Sequence, residues 1–180
     1  NLSRKYDDVK ISIPRTVVVA TDYFDQFIVE NGLQYVIDSE ISDEEILSEF
    51  VSSRLPEGLV EQLKSYIDTV RTPLAVRSSS KLEDSSYQPF AGVYSTYMIP
   101  LVENKSQMLR MLGKAIKSVY ASVFYAGSRT YIQTTANLLS EEKMAVVIQS
   151  ICGSEHDGLY YPMLSGVARS VNFYPIGSEK

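Results

Sequence analysis

The sequence predicts an α+β fold, or an α/β fold with a mixed sheet. Helix-forming patterns dominate the first 72 residues, strand-forming runs gather toward the end, and no internal repeat or low-complexity stretch interrupts the order. At 180 residues the chain is long enough for one sizeable core. Its apolar content of 44% is that of an ordinary globular protein, and no apolar run is long enough to span a membrane. The net charge is −5 with no block of Lys or Arg, which argues against a nucleic-acid partner. The single cysteine, Cys152, excludes an internal disulfide and fits a reducing cytoplasm; it reads as a small buried residue on a strand. A start at Asn1 without methionine, and an end at Lys180 just past a strand-like run, read as a piece truncated at both ends.

The elements follow in order. Residues 1–15 are a polar lead-in. Thr16 to Ala20 is a buried-strand pattern, and Thr21 is placed to cap a helix with Phe24, Phe27 and Ile28 on one face. Asn31 and Gly32 both tolerate the left-handed conformation and make a fitting stop. Ser42 with Glu45 three residues on is a capping box, opening a short helix through about Val51. Pro56 suits the first turn of a further helix with an apolar stripe of Leu59, Leu63, Tyr66, Ile67 and Val70. A strand over Leu74–Ser78, a long loop and a strand from Val93 to Ile99 come next. A long amphipathic helix from Lys105 to Tyr125 carries Leu109, Leu112, Ile116, Val119 and Val123, with a helical stretch continuing to Ala136. Met144–Ile151, Leu159–Pro162 and Gly166–Tyr174 read as strands, with Gly153 and Gly158 bounding a turn.

The chemistry gathers between Leu74 and Ile99. Arg77 leaves a buried strand, so its guanidinium has a rigid base and can hold two phosphate oxygens at once. Ser78, Ser79 and Ser80 add hydroxyl and N–H donors. The plain alternative is an Arg77–Asp84 ion pair that only staples the loop. Phe90-Ala91-Gly92 offers a backbone that can approach a ligand closely. From there, alternation puts Tyr94, Thr96 and Met98 on one face, with Thr96 within reach of the ligand of Arg77; a loop glycine beside a strand threonine is again the plain alternative. The familiar phosphate-binding glycine motifs and the protein-kinase catalytic set are absent.

Arg77-Ser78-Ser79, then Glu83-Asp84, then Phe90-Ala91-Gly92 with Thr96 four residues on, resembles the N-terminal nucleotide-binding domain of the phosphoenolpyruvate synthase and pyruvate phosphate dikinase family. Ile13-Pro14 with the following strand and helix, Val146-Val147-Ile148-Gln149 and Ser165-Gly166-Val167 are more loosely similar, so the resemblance spans roughly residues 13–174. It implies an ATP-grasp-like domain with a mostly antiparallel sheet flanked by helices, 1–72 being a helix-rich lead-in and 73–180 the sheet-rich ATP-binding part. It implies that Arg77, Ser78 and Ser79 contact the ATP phosphates and that Gly92 and Thr96 form a loop over them. Gln149 would lie on the strand leading to the adenine hinge, where the backbone near Ile151 hydrogen-bonds the base.

The resemblance further implies an ATP-dependent phosphotransferase whose parent phosphorylates a histidine in a downstream domain and then an acceptor such as pyruvate. The partners are thus a nucleotide and the parent's phosphohistidine and acceptor-binding domains. Mg²⁺ would be held by carboxylates beyond this segment. No catalytic and no metal-binding residue is expected within it, and the isolated segment should be inactive. The family pattern departs at Val93-Tyr94 and at Ala168-Arg169-Ser170, which motivates an alternative: a non-catalytic nucleotide-sensing or interaction module on the same fold.

Other constellations have plainer readings. Asp43-Glu44-Glu45 complements a helix dipole rather than a metal. His156, the only histidine, falls in a solvated hairpin turn; Arg129 could reach a phosphate but is read as an exposed helix charge; and the thirteen tyrosines read as core and rim packing.

Overall fold

A computed structural model describes residues 11–80, 94–133, 143–166, 168 and 170, apart from the side chains of 37, 38, 131 and 133. The fold is α+β. In chain order its elements are β1 (Thr16–Val19), α1 (Thr21–Glu30), α2 (Tyr35–Asp38), α3 (Asp43–Ser52), α4 (Glu57–Ile67), β2 (Leu74–Ser80), β3 (Tyr97–Ile99), α5 (Lys105–Ser122), α6 (Ala126–Gln133), β4 (Met144–Ser150), β5 (Ser154–His156) and β6 (Leu159–Tyr161).

Four strands form one antiparallel sheet in the order β1-β4-β2-β3. The longest ladder joins β2 to β4 over seven positions, from Leu74 opposite Ser150 to Ser80 opposite Met144. β1 pairs with the other edge of β4, and β3 with the other edge of β2. One face of this sheet is apolar: Leu74, Val76, Val146 and Ile148 are completely buried. Helices α1 and α5 lie against that face. On the opposite face Val18, Arg77 and Met98 are exposed, so the described helices flank the sheet on one side rather than both.

Beneath the sheet sits an aromatic cluster. The Tyr120 ring of α5 meets Phe24 edge-on at 5.0 Å and Phe27 at 5.5 Å, while Phe50 of α3 contacts Phe27 at 5.7 Å and Phe124 at 5.5 Å. Rings at these separations gain both apolar burial and quadrupole attraction. The Tyr120 hydroxyl is buried with no hydrogen-bond partner among the described residues, and burial pushes its ionisation well above the ordinary tyrosine range.

Several helix ends follow the expected chemistry. Ser42 and Glu45 form a reciprocal capping box, which holds the Glu45 carboxyl below its usual range. Asp43, in the same first turn, also accepts the backbone N–H of Ala126 at 2.8 Å and so seats the start of α6. Ala20 rather than Thr21 is the N-cap of α1; Thr21 is its first residue. At its other end only Gly32 takes the left-handed conformation, at φ +63°, while Asn31 uses its side chain to bridge Phe27 and Arg54 carbonyls.

Other expectations shift. The long helix ends at Ser122 and restarts at Ala126 as α6, and Met108 rather than Leu109 is its first fully buried apolar residue. The strand expected from Val93 begins only at Tyr97, so alternation does not extend back through 94–96: Tyr94 turns into the core while Thr96 stays exposed. Cys152 is exposed beyond the end of β4 instead of buried on a strand. His156 ends the first strand of the β5–β6 hairpin and is exposed, its ring 4.6 Å from that of Tyr161, with Asp157 and Gly158 at positive φ in the two-residue turn. Most of the strand expected at 166–174 lies outside the described residues.

Deleting one of these rings should cost heavily, whereas deleting the orphaned hydroxyl should not. Phe50→Ala is expected to lower stability by about 3–5 kcal/mol, and Tyr120→Phe to leave it unchanged or raise it by up to about 1 kcal/mol. Urea unfolding followed by far-UV circular dichroism checks both; a costly Tyr120→Phe would mean that the hydroxyl has a partner.

Candidate functional site

The β2–β4 register decides which side chains share a face. Leu74, Val76, Ser78 and Ser80 point toward the helices, and Ala75, Arg77 and Ser79 point to the open side. Across the ladder Arg77 opposes Val147 and Ala75 opposes Gln149. Val147 in turn opposes Val18 of β1, and Ala75 opposes Met98 of β3. The last β2–β3 pair is Val76 with Tyr97, and Thr96, exposed, lies one residue before the start of β3. The open face therefore holds Arg77 with Ser79 and Gln149, over an apolar ground of Val18, Val147, Ala75 and Met98.

Ser78 does not belong to this group. It lies between two residues of the open face and is turned to the helical side, and it takes part in an interaction of its own. A run of three serines cannot present all its hydroxyls to one ligand when the backbone is a strand. Gln149 is on the correct face but donates its amide to the Thr16 hydroxyl at 3.0 Å, which ties β4 to β1 and leaves its carbonyl oxygen available. Ile151 lies just past β4. Its N–H donates to the Pro73 carbonyl at 2.9 Å, so that donor is spent in extending the sheet. Its own carbonyl receives a long contact of 3.5 Å from the Tyr160 hydroxyl. Gly92, Asp84 and Arg169 lie outside the described residues.

Arg77 is exposed, and no described carboxylate comes within ion-pair distance of it. Its strand is pinned on both edges, so the guanidinium is anchored while its tip is free to meet an incoming anion. That donor set fits a polyphosphate: a planar fork, the Ser79 hydroxyl on the same face, and no described negative charge there. Among the described residues no group of three or more His, Cys, Asp or Glu side chains is placed to hold a metal.

Arg129 has a different fate. It is half-buried, and its guanidinium donates to the carbonyls of Phe124 at 2.6 Å and Ser39 at 2.7 Å and also to that of Val36. It is a staple between α6, the end of α5 and the α2 region, neither a phosphate ligand nor an exposed helix charge. The sequence held no local signal for this, because its acceptors lie up to 93 positions away.

Residues 1–179 match the family described as the pyruvate phosphate dikinase, AMP/ATP-binding domain. The chain belongs to this family. Among curated proteins it is 29% identical over 151 residues to an uncharacterized phosphotransferase, YvkC, of Bacillus subtilis, a match covering 84% of this chain and 17% of that protein. It is 25% identical over 173 residues to a phosphoenolpyruvate synthase of Aeropyrum pernix, covering 84% of this chain and 20% of that enzyme. The chain thus spans about a fifth of the length of these relatives. No described helix is long and apolar enough to cross a membrane.

The two arginines should separate cleanly in a stability measurement. Arg77→Ala is expected to change unfolding free energy by less than about 0.5 kcal/mol. Arg129→Ala strips donors from three carbonyls and should cost about 2–3 kcal/mol. Denaturant midpoints of the two variants beside the parent protein make the comparison, and a large loss in Arg77→Ala would make that residue a structural one.

Proposed function

We propose that the open face of the sheet carries ATP, with Arg77 gripping the phosphates and Ser79 and Thr96 donating to them from either side. The supporting observation is an exposed arginine, without a described counter-charge, on a sheet face whose other described strand side chains are uncharged. Membership in a family described as AMP/ATP-binding agrees with it. The base extends along β2 and β4 toward Ile151, about 13 Å from Arg77 at the rise of an extended strand. That is the scale on which a nucleotide stretches from base to terminal phosphate. Because the N–H of Ile151 is engaged by Pro73, the donor for the purine edge comes from the backbone just beyond it, at the exposed Cys152 or Gly153.

We further infer that the parent protein is an ATP-dependent phosphotransferase of the dikinase type. In this reading it moves a phosphoryl group to a histidine in another domain and then to an acceptor such as pyruvate. The names of the two relatives, a phosphotransferase and a phosphoenolpyruvate synthase, support that reading. Mg²⁺, held by carboxylates outside the residues described, would neutralise charge on the phosphates. This chain's own part is to position the triphosphate and to offset its charge from one side, which is most of what phosphoryl transfer asks of a protein. The proposed setting is the cytoplasm.

Calorimetry with Mg-ATP on the full-length protein tests the site. Arg77→Ala should weaken binding by about 10–100-fold, the loss expected of a bidentate charge-assisted contact. Ser79→Ala should weaken it by a smaller factor, and Ser78→Ala should leave it unchanged. Equal affinity in Arg77→Ala and the parent would remove the open face from nucleotide binding.

A further inference from the structure

On the helical side of the molecule, away from the open sheet face, α4 and α5 bound a groove of about 680 Å³. Its floor is apolar: Val51, Leu55, Val60 and Leu109, with Gly113 leaving room where a larger residue would fill it. Its walls carry five cations, Arg54, Lys64, Arg110, Lys114 and Lys117, against two carboxylates, Glu57 and Glu61. In a chain whose net charge is −5, this is a local reversal of sign. Lys117 is partly committed, since its ammonium donates to the Val51 carbonyl and, at 3.0 Å, to that of Ser53, closing the end of α3. Arg54, Lys64, Arg110 and Lys114 are exposed, and none has an ion-pair partner among the described residues.

We propose that this groove docks an acidic amphipathic helix of a partner protein. The groove runs between two helices for about two turns, from Glu57 to Lys64 on α4, or about 11 Å. That length accepts a helix laid along it with apolar anchors at i, i+3 or i+4, and i+7. The flanking cations sit where glutamates on either side of such a stripe would fall. A small organic ligand fits the lining less well. Sites of that kind orient their ligand with a few short, fixed polar groups, whereas here nearly every polar group is the tip of a long Lys, Arg or Glu side chain. Such tips steer and hold a charged surface rather than orient a single functional group.

The experiment uses the full-length protein and a fluorescein-labelled synthetic helix of about 16 residues, with leucines at i, i+3 and i+7 and glutamates on both flanks. Fluorescence anisotropy should show saturable binding that weakens as salt rises. Arg110→Glu with Lys114→Glu, both on the exposed side of α5, should reduce the affinity about tenfold or more, while Mg-ATP binding stays as in the parent protein. Arg77→Ala should leave peptide binding unchanged, so failure of the nucleotide reading and failure of this one are told apart. The proposal is overturned if the acidic helix does not bind, if a lysine-flanked or scrambled peptide binds as tightly, or if the double charge reversal has no effect.

Discussion

The seven-position ladder between β2 and β4 is the constraint on which both surfaces of this domain depend. Leu74, Val76, Val146 and Ile148 must be buried, and all four are, against α1 and α5. Once they are, strand alternation leaves no choice for the residues between them. Arg77 and Ser79 go to the far side, and Ser78 and Ser80 go inward. A slip of β2 by one residue would drive the guanidinium toward the core and expose the fully buried Leu74 and Val76. The position of the cation is therefore enforced by the apolar energy of its neighbours rather than by any contact of its own, which is why it can be held rigidly and still lack a described partner.

That division explains what could be read from the chain beforehand and what could not. Helices α1, α3 and α4 were legible because periodicity, the Ser42–Glu45 box and Pro56, which is the N-cap of α4 rather than a residue of its first turn, are all local signals, and local signals survive tertiary packing. The cores of β2 and β4 were legible for the same reason. The break between α5 and α6 was not, because nothing at Val123 to Tyr125 forbids a helix; the chain turns there as α6 is seated by Asp43 and Arg129. Tyr94 was misplaced because alternation was extended into residues that form no strand, where burial of an aromatic ring outweighs any pattern. Cys152 was misplaced because the strand before it ends at Ser150.

For the site, residue type was readable and geometry was not. Arg77 stood out because an arginine at the end of an apolar run is unusual. The pairings that set Val147 opposite it, and the hydrogen bonds that occupy Gln149 and Ile151, depend on which strands are neighbours. Strand order is a non-local property, set by the balance of the whole sheet. The stapling role of Arg129 illustrates the same limit from the other side: two carbonyls from the distant α2 region join the nearby Phe124 carbonyl on one guanidinium, and no spacing rule could have joined them.

Helix α5 connects the two surfaces. It turns Leu112, Ile116 and Val119 to the core and lines the charged groove with Arg110, Lys114 and Lys117. Rotating it by one residue position, about 100°, would bury ammonium groups beneath the sheet and expose leucine to water. Burying unpaired charge costs far more than the groove could return, so the amphipathic period of this one helix fixes both its seat under β2 and the chemistry of the opposite wall. A single element thus allocates apolar support to the strand that carries Arg77 and positive charge to the far side. The two proposed sites thus differ in character: at the sheet one cation on a paired strand stands on an apolar ground, and in the groove several long cationic side chains surround one.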